Sequence, residues 1–178
     1  MEILRTIAFY AEDKEMPFLL IGGHALNAYG LSRQTGDVDL LVKYSQKPMW
    51  SALFQRLRYI VGQDDDRFAR FRPEVLGGWP IDLMFVDDVT FDKLHGESLE
   101  MQVGVALVRV VSARHLAILK IHALKYIQED RYAKDFSDLV YLLRSGKTGL
   151  GKQELLELCQ RYASVELFDK IMENMHDS

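Results

Sequence analysis

The chain has 178 residues, 48% of them hydrophobic and 27% charged, with a formal net charge of −4. That balance is globular and large enough to bury a core without a disulfide or structural metal. It argues against a broad basic surface that wraps nucleic acid, though it leaves room for a local basic groove. The single cysteine, Cys159, rules out an internal disulfide and reads as small core filler in an apolar helical stretch. The opening MEILRTIAFYAEDKEM has scattered charges and no basic start or unbroken apolar run. No apolar run approaches about 18 residues. The expectation is a soluble cytoplasmic protein with no membrane partner.

Residues 2–15 read as an amphipathic helix with Ile3, Ile7, Tyr10 and Ala11 on one stripe, ended by Pro17. Phe18 to Ile21 is a short buried strand. Gly22-Gly23 is a turn, and 24–29 a short helix. Val38 to Val42 is a second buried strand, followed by a helix over 48–58. Asp64-Asp65-Asp66 reads as a solvated loop, because like charges repel and gain from water. The turn Gly77 to Pro80 leads into a third strand, Ile81 to Val86. Segments 99–101 and 105–111 suit a hairpin around Gly104. Ser112 suits a helix N-cap, and helices are expected over 113–128, 133–144, 151–162 and 164–175. Early strands and late helices predict an α/β (α+β) protein. A mixed sheet flanked by helices spans 1–111, and a C-terminal helical bundle spans 112–178.

Asp37 and Asp39 are one residue apart in an apolar strand, so both carboxylates project to one face, with Cα atoms roughly 6.6 Å apart. Two unpaired charges beside a core strand are costly, and a divalent cation is one compensation. The alternative is that Asp37 caps a turn and Asp39 pairs with a lysine or arginine. Gly22-Gly23, after a strand and before a helix, lets backbone N–H groups approach a phosphate, or is only a turn. Ser32 and Arg33 lie between these elements, placed to add phosphate contacts. Asp82 is a third acid near the start of an apolar strand. If that strand lies beside the Asp37–Asp39 strand, three carboxylates converge, a set able to hold two Mg²⁺ for phosphoryl chemistry.

Ile21-Gly22-Gly23-His24-Ala25, then Arg33-Gln34-Thr35-Gly36-Asp37-Val38-Asp39-Leu40, resembles the signature of the polymerase-beta-like nucleotidyltransferase superfamily. Its Gly-Gly-x-Ala opening, with an arginine before the acids, is most similar to the AbiEii-type toxin nucleotidyltransferases. Aminoglycoside and lincosamide nucleotidyltransferases are similar. The resemblance implies that Gly22 and Gly23 hold a triphosphate. It also implies that Asp37, Asp39 and Asp82 bind Mg²⁺ and are catalytic, Asp82 being also a candidate base. His24 stands where a serine or threonine is often found, and its role stays open.

In the second half, Lys120 has Leu116, Ala117, Ala123 and Leu124 as its helical neighbours. It either snorkels or aims its ammonium at a phosphate or the acidic cluster. Arg131-Tyr132-Ala133-Lys134-Asp135-Phe136-Ser137-Asp138-Leu139 resembles the Lys-Asp-x-x-Asp-Leu helix start of AbiEii-type proteins. That resemblance would turn Arg131, Lys134 and Asp135 to the cleft; a dipole-complementing helix start is the alternative. Ser145-Gly146-Lys147-Thr148-Gly149 is no Walker A loop, since Tyr141 stands where glycine is required.

The expected activity is Mg²⁺-dependent transfer of a nucleoside monophosphate from an NTP, ATP among them, to a hydroxyl. The acceptor is expected to be tRNA or another RNA in a toxin–antitoxin setting, which admits a cognate antitoxin as partner. A small-molecule acceptor is the second reading. The rival from another class is a non-catalytic nucleotide- or protein-binding module.

Overall fold

In the computed structural model, residues 2–126 and 129–176 are described. By Cα proximity the chain divides into residues 1–111 and 112–178. The first unit holds α1 (Glu2–Asp13), β1 (Phe18–Leu20), α2 (Gly22–Ala28), β2 (Val38–Lys43) and α3 (Lys47–Arg56). It continues with β3 (Tyr59–Asp64), β4 (Phe68–Pro73), β5 (Ile81–Val86), α4 (Asp88–Gly96), β6 (Leu99–Val103) and β7 (Ala106–Val110). The second unit holds α5 (Ala113–Leu124), α6 (Glu129–Arg144), α7 (Lys152–Tyr162) and α8 (Val165–His176).

The seven strands form one mixed sheet in the order β3-β4-β5-β2-β1-β7-β6. β2 is central, antiparallel to β1 and parallel to β5. Its segment Val38-Asp39-Leu40-Leu41-Val42 is apolar apart from the acid and carries β-branched valines at both ends, which suits a strand covered on both faces. On one face, Phe18, Trp50, Phe54 and Phe71 build an aromatic core, with the Phe54 and Phe71 ring centroids 4.8 Å apart. Trp50, on α3, is fully buried, and each such ring removes about 150–250 Å² from water. On the other face, Lys43 pairs with Asp92 of α4 at 2.7 Å. At the N-terminal end of β2, Asp39 projects to that same face, with Asp37 in the bend just before it.

Several elements differ from the sequence reading, which expected neither β3 nor β4. The triple aspartate does not sit in a featureless loop: Asp64 ends β3, and Asp65 and Asp66 form the tip of the β3–β4 hairpin. All three remain solvated, and the Asp65 carboxylate caps the tip by accepting from the N–H groups of Arg67 and Phe68. A helix, α4, follows β5 directly; its N-cap Asp87 accepts from the Thr90 N–H. α1 stops before Pro17 would force it to, with Glu15 in the left-handed region at φ +52°.

In the second unit the Ser112 hydroxyl accepts from the His115 N–H and starts α5. The expected helix over 113–128 ends at Leu124, and residues 127 and 128 of that expectation lie outside the described residues. Leu116, Ile121, Leu139, Leu142, Leu155 and Ile171 meet in the core of the four helices. Cys159 is fully buried there as expected, and burial pushes its thiol up to about 11.

Candidate active site

β2 begins at Val38, and Asp37 occupies the bend just before it. Asp39 stands opposite Asp82 in the parallel β2–β5 ladder, and Asp82 opposite Arg70 in the antiparallel β5–β4 ladder. Residues opposed in register project to the same face, so one rung of the sheet carries acid, acid and base. Asp37 joins from the bend: one carboxylate oxygen each from Asp37, Asp39 and Asp82 lie within 4.8 Å of one another. At that spacing each pair of full charges repels by about 3–4 kcal/mol at an effective dielectric of about 20. The convergence exists only because β5 lies beside β2, the condition set by the sequence reading.

Asp82 is buried, at 5% exposure. Arg70 Nε donates to its Oδ1 at 2.7 Å and Nη2 donates to its Oδ2. These bonds to Asp82, with Asp37 and Asp39 nearby, push the guanidinium still further above its ordinary range. Arg70 was not among the residues expected from sequence. The available signal was an alternation, Phe68-Ala69-Arg70-Phe71-Arg72, that marks a strand with arginines on one face.

Gly22 opens α2 at φ +64°, a region costly for L residues. A Cβ there would fall 1.9 Å from Asp39 Oδ2, and one at Gly23 would fall 2.6 Å from Thr35 Oγ1. The diglycine is therefore required by the side chains packed onto it. Thr35 Oγ1 in turn donates to Asp37 Oδ1 at 3.1 Å, a second contact that the sequence reading missed. Asn27 clamps the connecting loop to α2: its side chain donates to the Arg33 carbonyl and accepts from the Arg33 N–H, both at 3.0 Å. Ser32 is exposed on this loop and Arg33 half-buried.

His24 lies edge-on to Trp79, ring centroids 5.2 Å apart, with Nε2 buried and without a hydrogen-bond partner. Burial lowers its pKa, with the negative charge of Asp37 partly opposing that. The Trp79 carbonyl accepts from Tyr59 Oη at 3.0 Å, and the Pro80 carbonyl from the Val38 N–H at 2.9 Å. Beside Asp37, a cavity of about 520 Å³ opens between Gly36, Arg70, Arg72, Leu76 and Pro80. A cavity of about 580 Å³ lined by α1 and the β6–β7 hairpin contains none of these residues.

The donor set suits a hard divalent cation: all ligand atoms are oxygens, no Cβ at Gly22 crowds Asp39, and Asp37 borders open space.

In the second unit, Lys120 is buried rather than snorkelling. Its Nζ donates to Asp138 Oδ2 at 2.7 Å and to Asp135 Oδ1. Asp135 and Asp138 are three residues apart on α6 and so share a helical face. Asp135, expected to face the cleft, is committed to that ion pair, while Lys134 is exposed.

A strand, a diglycine at a helix start and three acids converging on neighbouring strands mark a nucleotidyltransferase. The model of the family described as "Nucleotidyl transferase AbiEii toxin, Type IV TA system" matches residues 3–170. The chain belongs to that family, and is a nucleotidyltransferase by it. Among solved structures, the antibiotic-resistance factor ANT(2″)-Ia in solution is similar at TM-score 0.68 and 16% identity, over 99% of this chain and 97% of that one. The same protein in complex with adenylyl-2″-tobramycin gives 0.67 and 17%, over 90% and 95%. The lincosamide antibiotic adenylyltransferase LnuA, lincomycin-bound, gives 0.56 and 13%, over 78% and 95%. At these identities the likeness is one of fold. No curated protein sequence matches the chain. Among the described residues no helix is long and apolar enough to cross a membrane.

Proposed function

We propose that the protein transfers a nucleoside monophosphate from an NTP to a hydroxyl of RNA, tRNA included, as a toxin-type enzyme with a cognate antitoxin. The observation that carries the reaction type is the convergence of Asp37, Asp39 and Asp82 within 4.8 Å beside Gly22. In this reading the three carboxylates would hold Mg²⁺, which would supply positive charge to offset the negative charge developing on the reacting phosphate. Gly22 and Gly23 present backbone to the triphosphate. Ser32 and Arg33 add phosphate contacts. Asp82, whose oxygens also accept from Arg70, or a water takes the proton of the attacking hydroxyl. The bond from the α-phosphorus to the bridging oxygen breaks, the bond to the acceptor oxygen forms, and pyrophosphate leaves.

The cavity beside Asp37 supports an RNA acceptor. Arg70 and Arg72 line it, which suits a phosphodiester and disfavours a polycationic aminoglycoside. The second reading, a small-molecule acceptor, is supported by the near-complete mutual coverage with ANT(2″)-Ia. The test supplies each NTP labelled on its α-phosphate, Mg²⁺, and either total RNA or an antibiotic panel. Label should pass to RNA and be lost in Asp39→Ala. Label on an antibiotic alone would move the reading to small molecules. No transfer, together with no Mg²⁺-dependent NTP binding, would sink it.

A further inference from the structure

We propose that Arg70 is the resident counter-ion of the carboxylate site and holds its affinity for divalent cations low until a nucleotide arrives. This rests on the metal-binding reading above, but not on the identity of the acceptor. Arg70 sits on the same sheet rung as Asp39 and Asp82, and its fork engages both oxygens of the most buried acid. Without any cation the three clustered carboxylates would repel one another, and the guanidinium offsets one of those charges.

The same positive charge works against a metal ion. A cation ligating Asp82 must share oxygens whose lone pairs already accept from Arg70, and must approach a like charge. Few carboxylates plus substrate phosphates is also what Mg²⁺ prefers. A triphosphate brings the missing negative charge and so favours entry of the cation with it. Arg70 has room to yield, because its flank opens on the 520 Å³ cavity shared with Asp37 and Arg72. Metal occupancy is thereby coupled to nucleotide, and the site avoids holding cations idle. Arg70 is in this sense a positioning residue that acts through Asp82.

The test is a Mn²⁺ titration by calorimetry on the full chain, with and without a non-hydrolysable NTP analogue. Wild type, Arg70→Gln, Arg70→Lys and Asp39→Asn are compared, with circular dichroism to confirm folding. Arg70→Gln should bind Mn²⁺ alone about tenfold more tightly, and the analogue should enhance its Mn²⁺ binding less than in wild type. Arg70→Lys keeps the charge without the fork and should stay near wild type. In EDTA the thermal midpoint of Arg70→Gln should fall, and Mn²⁺ should restore it. If that variant is unfolded in EDTA, folding on addition of Mn²⁺ supports the proposal and failure to fold overturns it. Equal or weaker Mn²⁺ affinity in folded Arg70→Gln also overturns it. Should Asp39→Asn bind Mn²⁺ as well as wild type, the metal-site reading itself fails. If only Asp39→Asn loses binding while Arg70→Gln matches wild type, the Arg70 proposal alone fails.

Discussion

Replacing Lys120 with methionine should unfold the helical unit more readily than any conservative change in its apolar core. The ammonium lies between Asp135 and Asp138, which are 7% and 3% exposed. Methionine fills the volume of the lysine stem but leaves two buried carboxylates facing each other. Removing one member of a buried ionic set costs about 3–5 kcal/mol. For a chain of this size that corresponds to a fall in Tm of roughly 10 °C. The assay is urea denaturation followed by circular dichroism, with thermal melts beside it. A triple variant, Lys120→Met with Asp135→Leu and Asp138→Leu, removes every charge of the set and should recover most of the loss, since apolar replacements of buried ion sets are often neutral. If Lys120→Met costs less than about 1 kcal/mol, the ammonium is not stabilising those carboxylates and the reasoning fails.

Gly22→Ala combines a left-handed backbone, costing about 1–2 kcal/mol, with a Cβ placed 1.9 Å from Asp39 Oδ2. It should abolish Mn²⁺ binding measured by calorimetry; binding of wild-type strength would show that Asp39 relaxes at no cost. Tyr29→Phe removes the buried bond from Tyr29 Oη to the Val111 carbonyl, 2.8 Å long, and should cost about 1–1.5 kcal/mol in urea denaturation. No change in midpoint would count against that bond. The Cys159 thiol is raised from 9.0 to about 11 because burial disfavours the thiolate. Its contribution is thus complete below pH 9 and lost as pH climbs through 11, a loss of about 2–3 kcal/mol. Cys159→Ala should show a shallower alkaline fall in stability than wild type, and parallel curves would refute the assignment.

The diglycine and the Asp-x-Asp pair were readable because each is local: a turn and a strand alternation within a few residues. The reason for the glycines was not readable, since it is contact with distant side chains: Asp39 on β2, seventeen residues from Gly22, and Thr35 in the connecting loop, twelve residues from Gly23. Asp82 stood out as an acid in an apolar strand, but its convergence with Asp39 depends on strand order, which periodicity does not encode. Arg70 escaped for the same reason, because its partner is on the next strand. The β3–β4 hairpin was hidden by its exposed first strand, which shows no apolar alternation, and by acids that read as loop. Lys120 was flagged correctly as misplaced on an apolar helix. Its partners, Asp135 and Asp138, lie on the following helix, a pairing that helical periodicity within α5 alone does not reveal.

The two tryptophans divide the labour of reporting on this molecule. Trp50 is sealed in the aromatic core, while Trp79 lies against His24 on the rim of the carboxylate cluster. Emission from Trp50 is therefore a fixed internal reference that changes only when the sheet melts. Trp79 touches His24, whose imidazole feels the charge of Asp37, so its emission should respond to changes near that carboxylate. The two indoles should thus report separately on the melting of the sheet and on the surroundings of His24, with no label to attach.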